Sequence, residues 1–466
     1  MSRYVVRMFA ADWRLWSPAT AVVALVATLV GLCVHQFAWT GDPSFAAAAS
    51  DAGVGLQEFR ILSITIYAVV ALVACVALTV VGRASVTATS RTHALWLLLG
   101  ASPMQVFGAT LLVIGIVSLT GALLGALLST LLAFWAVPAF NGAVSSVVDL
   151  PAFTLSPWAP VATVGLGALT TLAGGVLPAR RAARTPPSAA LRASEDGRLH
   201  TGATAARLVS GLVFLFLSCG LVAASGSARE LGATGPAPMF NLAVDAGGSL
   251  LLAVYLLCPE AVGLVLRALH ALLARSGLVV PALGVRAATA RVRVSAATIA
   301  PLAAGLGGIG VLLCAVESVV AMTTAVQPGT RADLTDVLTI VAIVAVSMLA
   351  TSAAVIALSA QDRDREIALL QAAGMRRHQI VGLLLSESFA LALAASTAAA
   401  APVAATGAVC WLVSRAALGE GLVVWPVQSA VLGLVGSWAA LSLILVVPVR
   451  ARLRQTPGAR LREQGA

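Results

Sequence analysis

A carboxylate inside an apolar run is costly to keep charged, so Glu260, Glu317 and Glu387 are the first candidates for chemistry in this chain. Glu317 lies a little over a turn from the end of its run. That suits either a carboxylate snorkelling to the surface or one facing an access groove for a cationic or amphipathic substrate. Glu387 stands between Ser386 and Ser388, a setting for helix packing. Glu260 follows Pro259, which leaves a hinge, a proton site and packing against Arg267 all open to it. None of them joins a His/Asp/Glu or Ser/His constellation, and the five His are scattered singly, so catalysis is not indicated. The six Cys fall inside apolar runs without metal-type spacing and read as small core residues.

A second kind of chemistry is recognition. Charges alternate from Asp362 through Arg363, Asp364 and Arg365 to Glu366. Ile367, Leu369, Leu370 and Ala373 then follow at three- and four-residue spacing, and Gly374 precedes Arg376 and Arg377. The pattern predicts a short surface helix in the headgroup plane that stops at the glycine. Such a helix is either a ridge on which a soluble partner pushes or a solvated loop with a snorkelling charge cluster. A copy lies 274 residues earlier, where Arg91, Ala94, Leu95, Gly100 and Gln105 match Arg365, Ala368, Leu369, Gly374 and Gln379. At a step of 270, Pro178, Arg180, Arg184, Pro187, Leu191 and Arg192 match Pro448, Arg450, Arg454, Pro457, Leu461 and Arg462. A weaker echo at a step of 279 joins Arg7 and Arg14 to Arg286 and Arg293.

The elements that must carry these segments are membrane helices. With 59% hydrophobic and 10% charged residues, the chain offers ten apolar stretches, near 19–39, 61–82, 106–137, 158–177, 208–225, 248–266, 296–322, 337–360, 380–414 and 428–447. The expected fold is all-α integral membrane, with ten transmembrane helices in two parallel-repeat four-helix units joined by a central helix pair. The expected divisions are 1–192, 193–282 and 283–466. The first stretch is long and lacks a small-residue cleavage site, so it reads as a retained span.

All 29 basic residues are Arg, and placing both termini in the cytoplasm puts 25 of them on the inner side. This is the positive-inside pattern of a multi-pass plasma-membrane protein, with lipid headgroups rather than nucleic acid as the nearest polyanion. The outer loops, such as 40–60 and 323–336, are too short for a folded domain. No Lys is present, so the chain lacks the residue with which a Walker A loop reaches nucleotide phosphates.

The Arg-Glu-Ile-Ala-Leu-Leu run with Gly374 and Gln379, and the Pro-Ala-Arg-Arg-Ala-Ala-Arg-Thr-Pro-Pro-Ser-Ala-Ala-Leu-Arg tail from Pro178, resemble the FtsX-like or MacB-like permeases of ABC transporters. The resemblance covers both four-span units. It implies long stalk-forming spans at 106–137 and 380–414. It also implies that the preceding segments, Arg91, Leu95 and Gly100 and then Arg365, Glu366, Leu369, Leu370 and Gly374, contact two copies of an ABC ATPase subunit. ATP and Mg would be bound by that partner and no cofactor by this chain. Thr92 and His93 stand where the second repeat has Glu366 and Ile367, which implies unequal contacts.

The expected function is a non-enzymatic permease subunit that exports or extracts an amphipathic small molecule or peptide, or transmits ATPase motion across the membrane. An ion-gradient-driven secondary transporter and a non-transporting regulator of a cell-envelope enzyme are the alternatives. A secondary transporter would gather ionisable residues near the midplane. A regulator would need outer surface for its partner.

Overall fold

Apolar runs of this length satisfy their backbone only as helices, because the hydrocarbon offers no water to an unpaired N–H or C=O. The computed structural model describes residues 13–51, 96–140, 150–184, 201–230, 232, 234–275, 279–290, 292–327, 335–358, 367 and 369–452, and among these there is no strand. The helices, in chain order, are α1 Trp13–Trp39, α2 Pro43–Asp51, α3 Pro103–Phe140, α4 Trp158–Arg184, α5 Thr201–Ser225 and α6 Pro236–Leu256. They continue as α7 Cys258–Arg275, α8 Val279–Ala290, α9 Val292–Val326, α10 Thr335–Leu358, α11 Arg377–Leu418 and α12 Val427–Arg452.

Eight of the described helices contain stretches long and apolar enough to cross a membrane: Trp16–Trp39, Pro103–Ala139, Trp158–Val176, Arg207–Ser225, Pro238–Leu256, Ile299–Val326, Arg377–Leu418 and Val427–Val447. Helix α10 covers most of the expected eighth span, with its apolar stretch at Val344–Ala353. The expected second span, 61–82, lies outside the described residues.

The sixth span differs from expectation. Instead of one helix over 248–266, α6 ends at Leu256, Leu257 turns with φ −92° and ψ 5°, and α7 starts at Cys258. Pro259 is the cause, because a proline has no N–H for a helix interior but suits a first turn. Glu260 beside it favours the positive end of the new helix. The span therefore runs over Pro238–Leu256, and α7 is an amphipathic helix that buries Val262 and Leu266 and exposes Arg267 and Arg275.

The chain packs as two units. The first, Met1–Leu199 with Asp333–Leu358, is built on α1, α3 and α4, with α10 against α1. Small residues on α3 let α1 approach until backbones touch. A Cβ on Gly125 would lie 2.6 Å from the Ala24 carbonyl oxygen and 2.9 Å from the Thr28 nitrogen, and one on Gly121 would lie 3.0 Å from the Thr20 oxygen. Ser129 continues the row and fills the place opposite Gly31. Hydroxyls buried in these helices are satisfied by the preceding turn, as in Thr28 to Ala24 O at 2.8 Å and Ser118 to Ile114 O at 2.6 Å.

At the far end of α1, Asp42 starts α2. Its carboxylate accepts the Ser44 N–H at 3.0 Å, the Ser44 hydroxyl at 2.8 Å and the Thr154 hydroxyl at 3.2 Å. The Ser44 N–H is the largest influence holding that carboxyl below its usual pKa. Trp39 packs edge-on to Phe45 and Phe153 there, with centroids 5.1 and 5.7 Å apart.

The second unit, His200–Ala332 with Ser359–Ala466, is organised around α11, which touches α5, α6, α7, α8, α9 and α12. Two carbonyls of α6 take hydroxyls from neighbouring helices: Ala246 O from Ser218 of α5 at 2.8 Å, and Ala243 O from Thr406 of α11 at 3.2 Å. On α9, Gly307 lies over Ala399 and Pro402, and Gly310 lies over Val403. These glycines reveal more of the duplication. Gly310 stands 279 residues after Gly31, the step of the Arg14/Arg293 echo, and its neighbour Val403 stands 274 after Ser129. Ala399 likewise corresponds to Gly125 and Gly307 to Thr28, so the small partner has moved from the long helix to the helix it packs against.

Candidate functional site

The two long helices begin at the same kind of joint. Residues 96–98 are helical and end at Gly100, whose φ of 90° is in the left-handed region that a side chain disfavours. The Gly100 N–H donates to Leu97 O at 3.1 Å and the Ala101 N–H to Trp96 O at 2.9 Å, a Schellman stop. Two residues on, the Ser102 N–H donates to Gln105 Oε1 at 2.9 Å, and the Gln105 N–H donates to Ser102 Oγ at 3.3 Å. This capping box, with Pro103 at the first helical position, starts α3.

In the second repeat residues 369–372 are helical and Gly374 also has a φ of 90°. Its N–H donates to Gln371 O at 3.0 Å, the Met375 N–H donates to Leu370 O at 3.0 Å, and the Arg376 N–H donates to Gln379 Oε1 at 2.9 Å. Every partner is 274 residues from its counterpart. The sequence match of Gln105 with Gln379 thus has a structural purpose that residue types alone did not disclose. Each glutamine reaches back over the joint to fix where its long helix begins.

The segments ahead of the joints are anchored differently. Ile367 is buried with Ile380, Leu384, Val446 and Val449, which ties the second segment to α11 and α12. Trp96 packs against the cluster of Trp16, Val22, Val23, Val113 and Val117 between α1 and α3. Leu369 is exposed and Leu370 half-buried. Arg91, Leu95, Arg365 and Glu366 lie outside the described residues.

The three glutamates have different surroundings. Glu260 pairs with Arg207 of α5 rather than Arg267, whose Nε donates to Gly263 O at 2.8 Å. Glu387 is buried where α8 crosses α11. A Cβ on Gly284 of α8 would lie 2.8 Å from Leu383 O and 3.2 Å from the Glu387 nitrogen. Next to it, Ser388 and Ser442 share a 2.8 Å hydrogen bond between α11 and α12. Glu317 is half-buried on α9, beside Ser318, whose hydroxyl accepts the Val424 N–H at 3.1 Å. From the Gly310–Val403 contact, Glu317 is seven residues further along α9 and Glu387 sixteen residues back along α11. At 1.5 Å per residue that separates them by about 34 Å along the helix axes. Among the described residues no three His, Cys, Asp or Glu gather as a metal site.

Comparison with protein families matches residues 64–187 and 337–457 to the FtsX-like permease C-terminal family, one match in each repeat and more than half of the chain together. The chain belongs to the FtsX-like permease family. No curated protein and no solved structure matches it. Members of this family are membrane permease components of the ABC type, and FtsX-like permease domains are not themselves catalytic. In this FtsX-like permease the matched stretches contain α3 and α4, then nearly all of α10 together with α11 and α12, with both joints inside them. Helices α1 and α5 to α9 fall outside, so the kinship of α1 with α9 rests on the glycine contacts and the arginine echo.

Proposed function

We propose that this permease couples ATP hydrolysis by two separate ATPase subunits to the export or extraction of an amphipathic substrate, or to mechanotransmission across the membrane. The observation that carries the reading is the repeated joint. A short segment is locked by a Schellman turn and a glutamine cap to the start of a long helix, so a push on the segment is delivered to the helix. Helices α3 and α11 have 38 and 42 residues, about 57 and about 63 Å at the α-helical rise, well beyond a hydrocarbon core of about 30 Å. They are the rods that such a push would move.

In this reading Arg91, Leu95 and Gly100, and Arg365, Glu366, Leu369, Leu370 and Gly374, form the two ATPase contacts, and ATP and Mg stay with the partner. The chain has ten spans with both termini in the cytoplasm of a plasma-membrane protein, and its repeats occupy 1–192 and 283–466 around the linking segment. Glu387 serves helix packing, and Glu317 is the carboxylate available to a cationic substrate group. The axial distance between Glu317 and Glu387, and the pairing of Glu260 with Arg207, speak against the shared midplane site a secondary transporter would need.

The test is ATPase activity of a coexpressed partner reconstituted with the permease in lipid. Wild-type permease should bind and modulate the ATPase, and the Arg365→Ala, Glu366→Ala double variant should lose that modulation. An ATPase that neither binds nor responds would remove the reading.

A further inference from the structure

The sixth span brings a carboxylate into the membrane. A span over 248–266 would leave Asp245 outside it, whereas Pro238–Leu256 encloses Asp245, seven residues from one end and eleven from the other. At the helical rise those are about 10 and about 16 Å, which puts Asp245 inside a hydrocarbon core of about 30 Å by either count. Helix α5 gives the same depth. Ser218, which donates to Ala246 O next to Asp245, stands eleven residues from Arg207, the partner of the Glu260 that opens α7.

A helix face that meets lipid should be apolar, and α5 has such a face, with Val209, Leu212, Val213, Phe216 and Leu217 exposed. Helix α6 differs. Its exposed residues between Pro238 and Leu256 are Asn241 and Asp245, one turn apart on one face. The rest of α6 is taken, since Ser218 of α5 reaches Ala246 O, Thr406 of α11 reaches Ala243 O, and Gly247 lies against Val311 of α9 and Thr406. Among the described residues no Arg pairs with Asp245. With one methylene, an aspartate cannot snorkel about 10 Å to the headgroups as a long basic side chain would. An ionised carboxylate at this depth needs a cation, and a carboxamide beside it offers an acceptor for an N–H.

Resting on the reading of the chain as a permease for an amphipathic substrate, we propose that Asp245 and Asn241 form a binding site for the cationic group of that substrate, an ammonium or a guanidinium. The Asp245 carboxylate balances the charge, and the Asn241 side-chain carbonyl accepts an N–H. The apolar part of the substrate stays in the surrounding hydrocarbon.

Saturable binding of dodecyltrimethylammonium to the full-length chain in lipid nanodiscs tests the site, with neutral dodecanol as the matched tail. Wild type should bind the cation, Asp245→Asn should weaken that binding about tenfold or more, and dodecanol should not distinguish the two proteins. Dicyclohexylcarbodiimide, which modifies carboxyls reached from the hydrocarbon, supplies a second measurement that stands even where Asp245→Asn does not fold. It should modify Asp245 of the wild type, and dodecyltrimethylammonium should protect that residue over the concentrations at which it binds. Equal cation binding by wild type and Asp245→Asn overturns the inference. So does an Asp245 that the carbodiimide never modifies, which would mean that protein covers it, or one that the cation never protects. Loss of the cation in Glu317→Gln with retention in Asp245→Asn also overturns it, and leaves the substrate reading intact with Glu317 as its carboxylate. A wild-type chain that binds neither amphiphile defeats the amphipathic-substrate reading itself.

Discussion

At the scale of residues, the joints depend on one glycine each. A left-handed φ costs an L-residue with a Cβ about 1–2 kcal/mol, and nothing lies within 4 Å of a Cβ built on Gly374, so backbone strain alone is at issue. Gly374→Ala should lower stability by about 1 kcal/mol, and should reduce ATPase modulation by loosening the turn between the segment and α11. Gly374→Asn should recover part of both, because asparagine tolerates the left-handed region. Thermal melting together with ATPase modulation would check this, and equal behaviour of the Ala and Asn variants would remove the backbone argument. The glycines were legible in the sequence because a helix stop needs that residue. The caps made by Gln105 and Gln379 were not, since glutamine at a third helical position becomes a cap only once the start of the helix is fixed.

At the scale of elements, Gly121, Gly125 and Ser129 at four-residue spacing put small residues on one face of α3, which makes a close helix approach legible there, while the structure is what identifies α1 as the partner. The counterpart between α9 and α11 was not legible, because duplication and divergence moved the small residue across the interface, leaving Ala399 opposite Gly307. Gly125→Ala would push a methyl against the Ala24 carbonyl oxygen at 2.6 Å, a backbone atom that cannot swing aside. It should destabilise the permease by about 1–3 kcal/mol, as overpacking does. Gly108→Ala on the same helix meets nothing within 4 Å and should be neutral or stabilising by about 0.5–1 kcal/mol, through helix propensity alone. Melting of the two purified variants should move in opposite directions, or only the first should move. A fall of equal size in both would mean that α3 responds to glycine content rather than to its contact with α1.

At the scale of the whole molecule, composition alone announced a multi-pass helical membrane protein, and the 274-residue step announced that two long helices share one design. The linking segment was harder to read. Its apolar residues continue past Leu256, so an average over 248–266 hides the fact that Pro259 ends one helix and begins another with a different period of polarity. Helix α7 buries Val262 and Leu266 against the protein and leaves Leu264 and Leu272 exposed beside Arg267 and Arg275, a mixture of apolar and basic side chains that suits the headgroup layer. In the proposed topology, with ten spans and both termini cytoplasmic, α7 follows the sixth span and belongs on the cytoplasmic surface. A cysteine placed at exposed Ala268, in a chain whose six native Cys are replaced, should therefore react with a membrane-impermeant maleimide in inside-out vesicles and not in intact cells. Reaction only in intact cells would invert the topology. No reaction from either side would return 258–275 to the hydrocarbon, and the sixth span would then have to bend through Pro259 with Arg267 and Arg275 held in lipid, a far costlier arrangement than a break at Leu257.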